Sequence, residues 1–247
     1  MIYYFSGTGN SHYVAHELAS RLGTEAVSMR ENLPDSSCRE IGLVFPVYAW
    51  GLPKPVVHFI QRLRDAAIGE DAYIWCVMTC GDETGNASAI LRRELASSGL
   101  KLSALWSIIM PNVYVLLPGF DVDKKEVECK KLAAAPARID EIAAQVKRRE
   151  HVTDITRGSW PRMKTAVVYP LFLKYGVNTK KFRSTDACIS CGRCAEVCPQ
   201  ANIRLTDGHP QWGDDCSSCL GCYHACPAQA IEYGKASRNK GHYSGPR

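Results

Sequence analysis

Residues 188–199 read "CISCGRCAEVCP", and residues 216–227 read "CSSCLGCYHACP". Each stretch places four cysteines at intervals of three, three and four positions and follows the last with proline. A spacing used twice within 40 residues is an internal repeat, and it marks the C-terminal part of the chain as a unit of its own. Everything N-terminal to it has a different texture and has to be read separately.

The chain has 247 residues, long enough for one large domain or two small ones. Its hydrophobic fraction of 46% and charged fraction of 22% are ordinary for a globular protein. No apolar run approaches a membrane span; "AVVYPLFL" (166–173) is far too short. The N-terminus opens on folded-looking sequence without a basic n-region, so a cytoplasmic location is expected. In such a reducing compartment, twelve cysteines indicate metal or redox chemistry rather than structural disulfides.

The net charge of +5 is unevenly spread: −4 over residues 1–123, +8 over 124–187 and +1 over 188–247. A basic middle can signify a nucleic-acid or anionic-lipid surface. It can equally balance negative groups bound elsewhere in the molecule.

Three cysteines spaced three positions apart wrap a chain around one corner of an iron–sulfur cubane, each reaching a different iron. Zinc competes, but structural zinc sites favour two C-x-x-C pairs with a longer gap. The doubled run ending in Cys-Pro resembles bacterial-type two-cluster ferredoxins over residues 184–234. That resemblance implies two 4Fe–4S clusters with an exchanged fourth ligand. One is held by Cys188, Cys191, Cys194 and Cys226, the other by Cys216, Cys219, Cys222 and Cys198. A segment this small builds little core, so the clusters are expected to serve as one. Cys76 and Cys80, four apart on a strand, read as buried inert thiols, although Cys80 stands where a cofactor could lie. Cys38 and Cys129 are isolated and carry no assignment.

The first 120 residues alternate apolar strands with amphipathic helices. Strands are expected at "MIYYF", "EAVSM", "IGLVF" (41–45), "AYIWCVMT" (72–79) and "LSALWSIIM" (102–110). Helices are expected at 11–22, 55–63 and 87–97. Unbroken apolar strands between helices predict a parallel sheet covered on both faces. A last helix is predicted to start at "VDKKEV", with Asp123 capping, Val122 stapled onto Val127 and Pro136 kinking or dividing it. Residues 151–183 form a basic, aromatic connector that packs on both halves. The expected domains are therefore 1–150, the connector at 151–183, and 184–247.

Between the first strand and helix lies "SGTGNS", Ser6-Gly7-Thr8-Gly9-Asn10-Ser11. Two glycines permit close approach of an anion, and the side chains and helix N-terminus offer donors. No lysine lies in the loop, so a Walker site is excluded, and His12 stands where a dinucleotide fingerprint needs glycine. A plain tight turn is the alternative. The loop resembles the phosphate loop of flavodoxins, and the resemblance runs over residues 1–120. It implies a doubly wound five-stranded sheet of order 2-1-3-4-5 with FMN outside its carboxyl edge. Two further loops then fall at the flavin. One is Pro46 to Gly51 with Tyr48 and Trp50; the other carries Thr79, Cys80, Gly81, Asp82, Gly85 and Asn86. Tyr48 and Trp50 could instead be ordinary loop or core aromatics.

Taken whole, the chain resembles flavodoxin–ferredoxin fusion proteins of anaerobes. The expected function is electron transfer between two 4Fe–4S clusters and FMN, and onward to a redox partner protein or a small-molecule acceptor in anaerobic metabolism. A flavin-dependent reductase, with Asn112 and Tyr114 as substrate contacts, is the alternative, as is a redox sensor or assembly subunit. The cofactors themselves are negative, each cluster at about −2 with its thiolates, which accounts for the basic middle. Nucleic acid is not an expected partner, no membrane span is expected, and a homodimer is possible on the same reading.

Overall fold

The computed structural model describes residues 1–246 apart from 32, 36, 67, 70, 118 and 177. Its larger part is a parallel sheet of order β2-β1-β3-β4-β5-β6. The strands are β1 (Ile2–Tyr4), β2 (Ala26–Ser28), β3 (Glu40–Pro46), β4 (Tyr73–Cys80), β5 (Leu102–Ile109) and β6 (Thr153–Asp154). All eight residues of β4 are buried, as the two-sided cover of a central parallel strand requires. Helices α1 (Asn10–Leu22) and α4 (Lys125–Lys147) cover one face. Their Val14, Leu18, Ile139 and Ile142 pack on Trp75 and Trp106. Helices α2 (Lys54–Arg62) and α3 (Ala87–Ser97) cover the other through Phe59, Ile60, Leu91 and Leu95. Strand order 2-1-3-4-5 in a doubly wound sheet is the flavodoxin-like arrangement.

Four expectations are corrected here. The sheet has a sixth strand, β6, paired in parallel with Leu105 and Trp106 of β5. Its two residues are polar and exposed, so no hydrophobic pattern announces it. Helix α4 is not divided at Pro136: it runs as one helix from Lys125 to Lys147 with the proline inside it. The buried Ala135, Ile139, Ile142 and Val146 anchor both sides of that proline against the sheet. Asp123 does not cap α4; its carboxylate accepts from the Asn112 N–H at 2.9 Å and from Lys131 Nζ at 2.7 Å. Nor does Val122 staple onto Val127, which is exposed. Val122 packs instead on the second module.

That second module pairs β7 (Phe182–Ser184) with β10 (Ile231–Tyr233) and β8 (Ile203–Thr206) with β9 (His209–Trp212), both antiparallel. Short helices α7 (Arg193–Glu196) and α8 (Gly221–Ala225) follow the first two cysteines of each repeat and carry the third, Cys194 and Cys222. It has an apolar core of Phe182, Ile203, Tyr223 and Ile231, completed by Val115 and Leu116 from the segment after β5. The expectation that this segment builds little apolar core of its own did not foresee this contribution.

The connector holds α5 (Pro161–Met163), a π turn at Lys164–Val168 and α6 (Tyr169–Tyr175) in one helical run. It touches both modules. The Tyr169 hydroxyl donates to the Leu52 carbonyl at 2.7 Å, and the Ser218 hydroxyl donates to the Gly176 carbonyl at 3.3 Å.

Candidate redox centres

The cysteine repeats form two cavities, and each takes one cysteine from the other repeat. Cys188, Cys191, Cys194 and Cys226 line the first, beneath Ile189, Leu205 and Ile231. Cys198, Cys216, Cys219 and Cys222 line the second, beneath Phe182, Trp212 and Leu220. The backbone produces this convergence by the same device twice. Ser190 and Gly192 have φ of 54° and 76°, and the equivalent Ser218 and Leu220 have 58° and 61°. Left-handed residues reverse the chain between cysteines, so successive side chains turn inward. For serine and leucine the conformation costs of order 1 kcal/mol each, strain of the kind that functional loops retain. The exchanged cysteines match as well: Cys198 Sγ accepts from the Asn202 N–H and Cys226 Sγ from the Ala230 N–H, each at 3.3 Å.

The donor set fits an iron–sulfur cluster. Trp212 Nε1 and Ser217 Oγ are buried at the second cavity, where their only counterparts among the described residues are the sulfurs of Cys222 and Cys219. Sulfur atoms within it would give these donors acceptors. Burial pushes the Cys219 thiol up to about 11, and Cys222 higher still. Metal binding must therefore displace protons from these thiols. Among the described residues no three His, Cys, Asp or Glu side chains close on a single ion, as a zinc site demands. In a cubane each thiolate takes its own iron.

The loop at 6–11 joins β1 to α1. Gly9 is left-handed, at φ 99°, and the N-terminus of α1 has neither a capping side chain nor an acidic residue in its first turn. It offers unpaired N–H groups to an anion. The side chains of Asn10 and Ser11 are used elsewhere. Asn10 Nδ2 donates to the Pro111 carbonyl at 3.1 Å, and Asn10 Oδ1 accepts from the Tyr243 hydroxyl at 2.6 Å. The hydroxyls of Ser11 and Thr79 are 2.8 Å apart. These two positions thus offer an anion chiefly their backbone N–H groups, while Ser6 and Thr8 are only partly buried.

The loop after β3 is a tight hairpin in which Tyr48 and Gly51 exchange hydrogen bonds of 3.0 and 2.9 Å. Ala49 and Trp50 between them have φ of 47° and 59°, a turn that normally selects Asn-Gly. Contacts from outside the loop hold it. Trp50 Nε1 donates to Glu83 at 2.7 Å, Lys164 pairs with Glu83 and lies over the indole, and the Thr165 hydroxyl donates to the Trp50 carbonyl at 2.8 Å. Gly85 packs against Trp50, where a Cβ would lie 2.7 Å from that of the tryptophan. Thr165 also accepts from the Asn86 N–H at 2.9 Å. Sequence reading missed Glu83, Lys164 and Thr165; an acid, a base and a hydroxyl so far apart in the chain leave no local signal.

In the β4 loop, Asp82 accepts from Asn112 Nδ2 at 2.9 Å, and Gly81 lies against the same side chain with no room for a Cβ. Burial pushes the Cys80 thiol up to about 12 and Cys76 well above its ordinary value, in keeping with inert thiols. The Asn112 Nδ2 and backbone are thus engaged in structure. Tyr114 packs on the core of the second module and edge-on to Phe120.

The two halves meet at the first loop. A Cβ on Gly7 would stand 2.5 Å from Cys219 Cβ and 2.7 Å from the Cys219 carbonyl oxygen. Tyr48 also reaches this seam. Its hydroxyl is pushed well above its ordinary pKa by burial first, and then by the nearby Cys219 and Cys216.

Residues 182–204 match the model of the 4Fe–4S binding domain. No curated protein matches the sequence. Among solved structures the chain is similar to a flavodoxin of Streptococcus pneumonia TIGR4, at 15% identity over 60% of this chain and 97% of that one, with a TM-score of 0.41. It is similar also to a Fusobacterium nucleatum flavodoxin bound to flavin mononucleotide, at 12% identity over 60% and 96%, TM-score 0.42. A third is the two-electron reduced flavodoxin of Megasphaera elsdenii, at 20% identity over 56% and 97%, TM-score 0.37.

Proposed function

We infer, from a chain that joins a flavodoxin-like sheet to a ferredoxin-type 4Fe–4S module, that its work is electron transfer within one molecule. Cys188, Cys191, Cys194 and Cys226 would hold one 4Fe–4S cluster, and Cys198, Cys216, Cys219 and Cys222 a second. The 6–11 loop would bind the phosphate of FMN through backbone N–H groups with Ser6 and Thr8. The hairpin at Tyr48–Gly51 and the loop from Thr79 to Asn86 would flank its ring. When bound, FMN supplies a centre that exchanges electrons singly or in pairs.

The observation that carries this reading is the contact of Gly7 with Cys219. A cysteine of the second cavity lies against the loop assigned to phosphate, with no side chain between them. The chain therefore orders its sites: the first cavity toward solvent, the second at the seam, the flavin loop beyond. Cys191 is exposed and Ile189, on the same cavity, is 65% exposed, so the first cavity is the port for an external partner. That partner is a low-potential one-electron donor or acceptor protein of anaerobic metabolism, exchanging one electron per encounter. Covalent linkage keeps the seam at high effective concentration, and the connector fixes its geometry.

Anaerobically purified protein should contain about eight irons, a matching amount of acid-labile sulfide and one noncovalent FMN per chain. Once the clusters are reduced by a low-potential one-electron donor, flavin reduction should proceed at a rate independent of protein concentration. Zinc without sulfide, or a rate proportional to protein concentration, would refute the reading.

A further inference from the structure

The connector helix is apolar on its outer side as well as on its inner one, where Tyr169 and Leu173 pack on the core of the larger part. Its protein-facing side carries the polar anchors Lys164, Thr165 and Tyr169. Its solvent side carries Trp160, Met163, Val167, Leu171 and Tyr175, which are 74%, 51%, 51%, 51% and 64% exposed. Met163, Val167, Leu171 and Tyr175 follow at intervals of four along the helical run, and Trp160 precedes its first turn with φ of 53°. At about 1.5 Å per residue the row from Met163 to Tyr175 runs about 18 Å. Scattered apolar residues on a surface need no explanation, but a continuous row does.

Charge around the stripe has one sign. Residues 155–185 contain seven Lys/Arg and no Asp or Glu. Lys164 is paired with Glu83 and Arg183 with Glu232. Arg157, Arg162, Lys174, Lys180 and Lys181 have no carboxylate partner among the described residues. They cluster at the two ends of the row.

We propose that this face is a docking surface for an anionic lipid bilayer, with the helix lying in the plane of the interface. Apolar side chains along the middle, cations at the ends, and Trp160 and Tyr175 at its limits are what an interfacial helix presents to acyl chains and headgroups. A second copy of this chain fits poorly. A two-fold pairing of the stripe would set cations against cations at both ends. No helix among the described residues is long and apolar enough to cross a membrane, so the attachment would be peripheral. The surface lies opposite the anchors that hold the Trp50 hairpin, so docking leaves the redox seam untouched. The proposal does not depend on the redox reading.

The test is cosedimentation of anaerobically purified holoprotein with vesicles. Those of equal parts phosphatidylcholine and phosphatidylglycerol should bind at least about tenfold more tightly than pure phosphatidylcholine. Binding should collapse in about 1 M salt, where the Debye length is about 3 Å. Val167→Glu/Leu171→Glu should weaken it by about tenfold or more while circular dichroism and iron content stay unchanged. If that variant misfolds, Lys174→Glu/Lys180→Glu, at exposed positions, should lower binding to anionic vesicles alone. Absence of binding to anionic vesicles, equal binding to neutral ones, or wild-type binding by the folded variants would overturn the proposal. So would a dimer that Val167→Glu/Leu171→Glu dissociates in sedimentation velocity without any vesicle binding. Selective capture of the stripe by an acidic protein, with vesicles left free, would overturn it too.

Discussion

Gly7→Ala probes the seam directly. Gly7 has no positive φ, so alanine meets no backbone penalty there. The added methyl would lie 2.5 Å from Cys219 Cβ and 2.7 Å from its carbonyl oxygen, whereas ordinary contact begins at 3.4 Å. The seam must therefore open by about 1 Å, and because backbone stands opposite, no rotamer change can relieve it. Overpacking of this size costs about 1–3 kcal/mol. At about 2–4 °C per kcal/mol for a chain of this length, melting should fall by about 2–12 °C. The assay is thermal melting of the holoprotein together with amide hydrogen exchange. Exchange should rise at 217–221 and at the 6–11 loop. Gly9→Ala supplies the control. Its φ of 99° makes alanine strained, but its Cβ would meet Pro246 only at 3.4 Å, so it should destabilise without raising exchange at 217–221. Flavin reduction by a one-electron donor should slow in Gly7→Ala. An unchanged melting temperature with unchanged exchange at 217–221 would refute the contact and the ordering of sites built on it.

Cys198→Ser should perturb the cluster signal of the second cavity, and Cys226→Ser that of the first; electron paramagnetic resonance of the two variants separates this from repeats that each wrap their own cluster. Glu83→Gln should release the Trp50 hairpin at a cost of about 1–3 kcal/mol in urea denaturation, because the partly buried Lys164 loses its anion. Burial alone would raise the Glu83 pKa, but its bonds from Lys164 and Trp50 outweigh this and hold it below the usual carboxylate range. Its contribution to stability is thus present above the unfolded carboxyl pKa of about 4.3 and lost as pH falls through the lower folded value. A stability–pH profile of the Gln variant should lack that acid-side loss. Tyr243→Phe leaves Asn10 Oδ1 buried without its donor and should cost about 1–3 kcal/mol, read by denaturation, with faster exchange over the 6–11 loop.

The elements legible in the sequence are those whose cause is local. The cysteine interval is a short-range pattern, and the pairing of Cys226 with the first cavity followed from resemblance to the ferredoxins. Apolar runs such as 73–80 announce a central strand because both faces are buried. Strand β6 was illegible because two exposed polar residues pair there only once β5 is in place. The Ala49–Trp50 turn was illegible for the opposite reason. Its residues dislike the conformation, and Glu83, Lys164 and Thr165 impose it from far along the chain. The loops around the proposed flavin site could be named from sequence, but not the inward turn of Asn10 and Ser11, which depends on Thr79, Pro111 and Tyr243.

Val115 and Leu116 lie ahead of α4 in the chain, yet they pack with Tyr223 and Ile231 in the cysteine-bearing module. His224 Nε2, in the same module, lies 2.8 Å from the Val113 carbonyl oxygen. The seam in the gene is consequently not the seam in space. A recombination event that lifted residues 184–247 into another reading frame would carry off every cysteine of both repeats. It would leave behind part of the floor on which they stand. Inheritance of this pair of modules is therefore tied together by about ten residues of intervening chain, and a transplanted ferredoxin segment would have to evolve a substitute for them before it could travel alone.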